Sequence, residues 1–320
     1  MKGFDAEFLN LDHYIRVITE RIWEGGRIDD ILTYYSDPCI VETPSSVTTE
    51  LDAVVQGTRA TLAMFPDRRL LAEDVIQSGD EDHGFLSSHR IISTMTHCGE
   101  GAFGPATRKV VHVRTIADCL CKDNRIVHEW LVRDQGAIAR QIGIAPQDLA
   151  QAWLNQRGGW HKPVAGKAPG NYISHITPDA CATDYAEAVK SMAGGGANAL
   201  GIYDEAVHHL GPGEITRYGR KEVGAFWCEL FAALEVSSFE VEHLALNSGD
   251  GRGDRIAMRW RAQTRHTNGG KPNGVFGSPT GRSVEVLGIN HVEIVNGRVV
   301  REWALVDELA LWMQILTVKV

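Results

Sequence analysis

"DNRIVHEWLVRD" (residues 123–134) and "NGRVVREWALVD" (residues 296–307) are one phrase written twice. Each runs a polar turn, Arg, two apolar residues, a basic residue, Glu and Trp, and closes on Asp four positions after the Trp. The offset is 173 throughout, as 298 minus 125, 303 minus 130 and 307 minus 134 show. "FGPATRKV" (103–110) and "FGSPTGRSV" (276–284) begin at the same offset, and Gln141-Ile142 answers Gln314-Ile315. The period is too long for a solenoid and signals a duplicated domain. The functional question is therefore what one unit does, and whether both copies still do it.

The 320 residues suffice for two domains of about 150 residues. Hydrophobic content of 43% and charged content of 23% are those of a globular protein with real cores. A net charge of −9 without a Lys/Arg cluster argues against a nucleic-acid partner. No apolar run nears the ~20 residues of a membrane span, and Asp5, Glu7 and Asp12 interrupt any signal-peptide core. The six cysteines have no framework or zinc-ligand spacing, so a reduced, cytoplasmic chain is expected.

Apolar residues at helical spacing predict two helices over 9–35, broken at Gly25-Gly26, and a third over 51–64. From 70 to 134 the texture becomes β-rich. The second half repeats that order, with helix over 179–192, around 197–205 and over 220–234, then strands over 238–247, 254–267, 282–295 and 298–307. Between the halves come a capped helix from Pro146 to Arg157 and a Gly/Pro-rich stretch that reads as a linker. The expected domains are thus 1–144 and 179–320, joined by 145–178. Helices followed by a run of strands is α+β order, in which each unit wraps a bent antiparallel sheet around its helices and leaves a pocket between them.

Asn296-Gly297 is the strongest hairpin signal, a type I′ turn pairing Val295 with Arg298. Strict alternation from that turn puts Trp303, Leu305 and Asp307 on one face with Val286 and Asn290, and Glu302, Glu285 and His291 on the other. The same count from Asp123-Asn124 groups Trp130, Val132 and Asp134 with Thr115 and Ala117, and sets Glu129, Arg133, His112 and Arg114 opposite. An Asp beside Trp and Val on an apolar face would have a raised pKa and could exchange protons near neutrality. The competing reading is that Asp134 and Asp307 cap the helices that begin just after them.

Other signals fail their context. Gly99, Gly101 and Gly104 satisfy GxGxxG but no helix follows, and "AGGGAN" (193–198) lacks the P-loop Lys. The "RGD" at 252–254 falls in a hairpin turn, and His208-His209 lacks a third metal ligand.

"IWEGGRIDDILTYYSDPCIVETPSS", "TMTHCGEGAFGPATRKV", "DNRIVHEW" and "VRDQGAIARQIG" resemble the SnoaL-like polyketide cyclases and predicted ester cyclases of the nuclear transport factor 2-like superfamily. The likeness covers nearly all of 9–144 and, more loosely, 179–316. It implies two tandem cones, each of three N-terminal helices on a strongly curved antiparallel sheet, arranged as a pseudo-dimer. It also implies acid/base chemistry without metal or organic cofactor on a small hydrophobic carbonyl compound, as in cyclases, isomerases and dehydratases. By motif position the catalytic residues would be Asp134 and Asp307, with His97 and His266 at the strand ends. Trp130, Trp303, Thr115, Asn290, Glu42, His208 and His209 would line the pockets, and Glu42 departs from the His common in relatives. The two pockets should differ in polarity, with at most one competent. A rival reading is a non-catalytic protein of this fold that binds small molecules, and an epoxide-hydrolase type is a third.

Overall fold

The computed structural model describes residues 1–164 and 175–317; the Gly/Pro-rich stretch lies partly outside them. The chain divides into two compact units, one built on Met1–Ala145 and one on Pro146–Trp160 with Ser174–Val320. Each is a six-stranded sheet with its own helices, and the two share one topology.

Unit one opens with α1 (Leu11–Thr19), whose first turn is capped by Asn10, its side chain accepting the His13 N–H at 2.8 Å. Helical spacing gathers Leu11, Tyr14, Ile15 and Ile18 on the buried side. One π-helical turn, Glu20–Glu24, ends at Gly25-Gly26, and α2 (Ile31–Tyr34) is a single turn. Then come β1 (Tyr35–Thr43), β2 (Ser46–Thr48), α3 (Leu51–Met64), β3 (Arg69–Asp80), β4 (Gly84–Thr96), β5 (Val110–Lys122), β6 (Arg125–Arg133) and α4 (Gln135–Ile142). Unit two takes α5 (Pro146–Arg157), α6 (Ala180–Ala193), β7 (Tyr203–Gly211), β8 (Ile215–Tyr218), α7 (Gly219–Ala233), β9 (Leu234–Asn247), β10 (Asp254–His266), β11 (Ser283–Val295), β12 (Arg298–Val306) and α8 (Glu308–Leu316). The helix expected around 197–205 is a 3₁₀ segment, Ala197–Ile202, that gives way to β7.

The strand orders are β2-β1-β6-β5-β4-β3 and β8-β7-β12-β11-β10-β9. The pairs β1–β6 and β7–β12 are parallel within otherwise antiparallel sheets. No hairpin joins these partners, since the whole strand meander intervenes, so no turn sets their relative direction. The repeated glutamines fasten the closing helix of each unit to its sheet. Gln141 accepts the His112 N–H at 2.8 Å and donates to its carbonyl at 2.7 Å. Gln314 does the same to Glu285, at 2.8 and 2.9 Å.

Both hairpin turns have the positive φ of type I′, at 48° and 65° for Asp123-Asn124 and 51° and 72° for Asn296-Gly297. Val295 pairs with Arg298 and Ile294 with Val299, but Glu293 then pairs with Arg301, so Val300 is an extra residue in a β-bulge. Val127 is the same extra residue in unit one, between the pairs Cys121–Ile126 and Leu120–His128. Beyond the bulge, strict alternation from the turn is reversed on β6 and β12. Trp303 stands across from His291, and Asn290 across from Ala304. Trp130, Val132, Trp303 and Leu305 therefore leave the face that meets the helices. Glu129, Leu131, Arg133, Glu302, Ala304 and Val306 take their places. The assignments made for β5 and β11 are unchanged.

Candidate functional site

A cavity of about 240 Å³ lies in unit one between the inner face of the sheet, α1, the π-turn and α3. Ile15, Ile18, Leu70 and Ile91 supply its apolar walls. On α3 it meets Ala53, Gly57, Thr58 and Thr61, whose small side chains leave the space open, and the exposed Ala53 and Gly57 mark its mouth. The π-turn aims Trp23 at the same space, a use to which such turns are often put.

Into this apolar chamber the bulged strand brings Glu129 and Arg133, joined by Arg68, His89, Thr115 and Tyr35. Glu129 is the only acid among the described residues that line the cavity, and it accepts the Tyr35 O–H at 3.1 Å. Burial raises its pKa against the opposing pull of Tyr35 and Arg133. The Tyr35 phenol, buried beside that carboxyl, is pushed well above its ordinary value and stays a donor. Burial, with the charges of Arg16 and Arg90, pushes His89 down to about 3, so its ring is neutral at pH 7. The buried atoms Nε of Arg68, Nε2 of His89 and Oγ1 of Thr115 have no hydrogen-bond partner. Buried polar atoms are nearly always satisfied, and these three border an open space.

Unit two carries larger side chains at the corresponding positions. The bonds Cys98 N–H to Met64 carbonyl and Thr267 N–H to Ala233 carbonyl are equivalent, which sets an offset of 233 minus 64, or 169, for α3/α7 and β4/β10. Gly57, Thr58 and Thr61 then correspond to Phe226, Trp227 and Leu230, and Ile91 to Trp260. Trp260 stacks on Phe239 with centroids 5.0 Å apart and meets Trp227 at 6.2 Å. Gly288, which pairs with Trp260 and replaces Thr115, is required by that ring, since a Cβ there would come 2.2 Å from it. Arg68, His89 and Arg133 give way by the same offsets to Ser237, Met258 and Val306. What unit two adds is spent on internal bonds. Asn290 accepts from the Trp260 indole at 3.0 Å and donates to the Tyr185 hydroxyl at 2.7 Å. Tyr185 and Tyr203 donate to Glu302 at 2.7 and 2.9 Å.

Glu302 is fully buried, and that burial raises its pKa to about 7. Because the folded value exceeds the unfolded one, the contribution of this group is complete below about pH 4.5 and is lost as the pH rises through 7. Unit two should lose roughly 3 kcal/mol from this source between pH 5 and 8, and Glu302→Gln should flatten the slope. Denaturant unfolding of both proteins at the two pH values measures it; equal slopes would refute the assignment.

The residues expected from sequence are dispersed. Asp134 and Asp307 are buried N-caps of α4 and α8, accepting the Ala137 N–H at 3.0 Å and the Leu309 N–H at 3.1 Å. His97 and His266 are buried at the strand ends, where their Nδ1 atoms meet Thr107 and Thr280 at 3.2 and 3.1 Å, and neither lines the cavity. Trp130 stacks on His128 at 3.7 Å, Glu42 lies 3.5 Å from the same His128, and Trp303 faces His291 on the outer side of its sheet. His208 is exposed against Tyr218, whereas His209 is buried 3.6 Å from Glu302. Asn290 belongs to the unit-two network, and Thr115 alone of the expected set lines the unit-one cavity. Sequence reading missed Glu129, Arg133, Arg68, His89 and Tyr35. The available signal was the pair of adjacent apolar residues after each turn, Ile126-Val127 and Val299-Val300, which breaks a two-residue alternation.

Among the described residues no group of three His, Cys, Asp or Glu side chains is placed to hold a metal, and no helix is long and apolar enough to cross a membrane. All six cysteines are free. The sequence model of the SnoaL-like polyketide cyclases matches residues 14–142 and again 185–315. Among solved structures, similarity is found to IdmH of Streptomyces antibioticus, a proposed polyketide cyclase, at 20% identity and TM-score 0.36, covering 41% of this chain and 96% of that one. A SnoaL-like polyketide cyclase of Agrobacterium tumefaciens is also 20% identical, with TM-score 0.35 and coverage of 42% and 98%. TsrD of Streptomyces laurentii is 17% identical, with TM-score 0.35 and coverage of 41% and 95%. Among curated proteins none matches the chain.

Proposed function

The chain belongs to the SnoaL-like polyketide cyclase family, and from that premise we propose that it is a cyclase- or isomerase-type enzyme whose reaction chamber is the cavity of unit one. The observation that carries this reading is Glu129, a buried carboxyl of raised pKa set in an open apolar space among unpartnered donors. In its ionised form Glu129 takes a proton from the carbon next to a substrate carbonyl. The C–H electron pair passes into the enolate, whose oxygen is stabilised by hydrogen bonds from His89 or Thr115. In ring closure the enolate carbon bonds to a second carbonyl carbon, and the resulting alkoxide recovers the proton from Glu129. In isomerisation Glu129 returns it to another carbon. The apolar walls keep water from competing and keep the carboxyl a strong enough base. No step requires a partner beyond the small molecule.

The test is exchange of the α-protons of small hydrophobic ketones and 1,3-diketones in deuterium oxide, followed by proton NMR. The wild-type chain should accelerate exchange over buffer, with a rate that climbs with pH through an apparent pKa above the ordinary carboxylate range. A rate already level at pH 4.5, or no acceleration across the panel, would overturn the reading.

A further inference from the structure

Arg68 is 7% exposed and lines the cavity. Its Nε has no hydrogen-bond partner, and no described residue forms an ion pair with it. A buried guanidinium in this state is costly, because desolvation of the charge is not offset by a partner. Burial and the neighbouring positive charge of Arg133, which also lines the cavity, both lower its pKa. An arginine nevertheless keeps its proton at neutral pH. The acid on the cavity wall, Glu129, is engaged by Tyr35. The wall of the chamber therefore holds a guanidinium to which no described acid is bonded. The counterpart in unit two, where larger side chains stand at the cavity positions, is Ser237 rather than a cation.

We propose that the unit-one cavity takes an anionic ligand, a small hydrophobic molecule bearing a carboxylate that Arg68 receives as an ion pair. This rests on the reading of that cavity as the reaction chamber and names its substrate class. A carboxylate suits the planar fork of a guanidinium, which can bond both oxygens at once. The ligand is small, since about 240 Å³ lies just below the ~300 Å³ at which sites for drug-sized molecules begin. Its apolar body would lie along Ile15, Ile18 and Ile91, which puts the reacting carbon within the chamber that holds Glu129. Arg68 is a binding residue in this scheme and takes no proton.

The experiment is calorimetric titration at pH 7.5 of the full chain with hexanoate, octanoate and 4-phenylbutyrate, each against its primary amide, which has the same shape without the charge. The best acid should bind at least about tenfold more tightly than its amide. Arg68→Gln should bring the two within about twofold, and Arg68→Lys should restore part of the difference. Without ligand, Arg68→Gln should raise the melting temperature of the chain, because it removes a buried unpaired charge. Equal binding of acid and amide by the wild type, a preference that survives in Arg68→Gln, or no acid bound below 10 mM (on the order of the weakest useful fragment affinity) would each overturn the proposal. Acceleration of α-proton exchange on neutral ketones alongside any of these would leave the reaction chamber standing and remove only its charge preference.

Discussion

Replacing Glu129 by Gln is expected to slow α-proton exchange by roughly 10²–10⁴-fold, the usual worth of a positioned general base, while the chain stays folded. Gln keeps the length of the side chain and an oxygen that can accept the Tyr35 hydroxyl bond, seen at 3.1 Å. What it loses is the ability to take a proton. Three parallel substitutions fix the interpretation. Asp134→Asn and Asp307→Asn should leave the rate within about twofold, because Asn caps a helix about as well as Asp and both residues cap the helix that follows them. Glu302→Gln should also leave it, since the Glu302 carboxyl is held by hydrogen bonds from Tyr185, Tyr203 and Trp227. Steady-state exchange rates with circular dichroism on each variant decide the matter. Full activity in Glu129→Gln, or its loss in folded Asp134→Asn, would sink the assignment.

Trp260→Ala is expected to cost unit two roughly 3–5 kcal/mol, as large-to-small substitutions of buried aromatics do. Trp260 is fully buried, touches Trp227, Phe231 and Phe239, and donates its indole N–H to Asn290. The variant loses that volume and also strands an amide oxygen. The loss should fall on unit two, so its urea transition should move to lower concentration while that of unit one stays, with exchange activity following the more resistant one. A drop below about 1 kcal/mol would mean that the interior is looser than its ring contacts imply, and loss of activity at the first transition would place the chemistry in the wrong unit.

The duplication, the element order and both hairpin turns were legible because they rest on local chemistry. A repeat is visible as a repeat, and Asn-Gly adopts positive φ wherever it stands. The inner face of β5 and β11 could also be read, since unbroken alternation carries Thr115, Ala117 and Asn290 inward. The inner face of β6 and β12 was not, because one extra residue in each reverses every side chain beyond it. Alternation alone puts Asp134 and Asp307 on the inner face, whereas the observed register puts Glu129 and Glu302 there. The expected difference in polarity drew, for unit two, on Asn290 and on His208 or His209, of which Asn290 and His209 are buried. Those groups do face inward, but Trp227, Trp260 and Phe226 stand between them and any solute. Which unit is open depends on the sizes of residues on α3 and α7, such as Gly57 against Phe226, and neither helix declares from its own sequence which space it borders.

A strand with a two-residue period is a message in a two-beat code, and the extra valine after each turn shifts its reading frame. Upstream of Val127 the letters spell one side of the sheet; downstream the same alternation spells the other. The Glu and Trp of the shared phrase thus exchange meanings through a residue that touches neither of their roles. Both copies carry the insertion at the same letter, Val127 and Val300, so the simplest history has the frame set before the duplication. The copies then diverged in vocabulary, one keeping small words where the other wrote large ones, without either altering the punctuation.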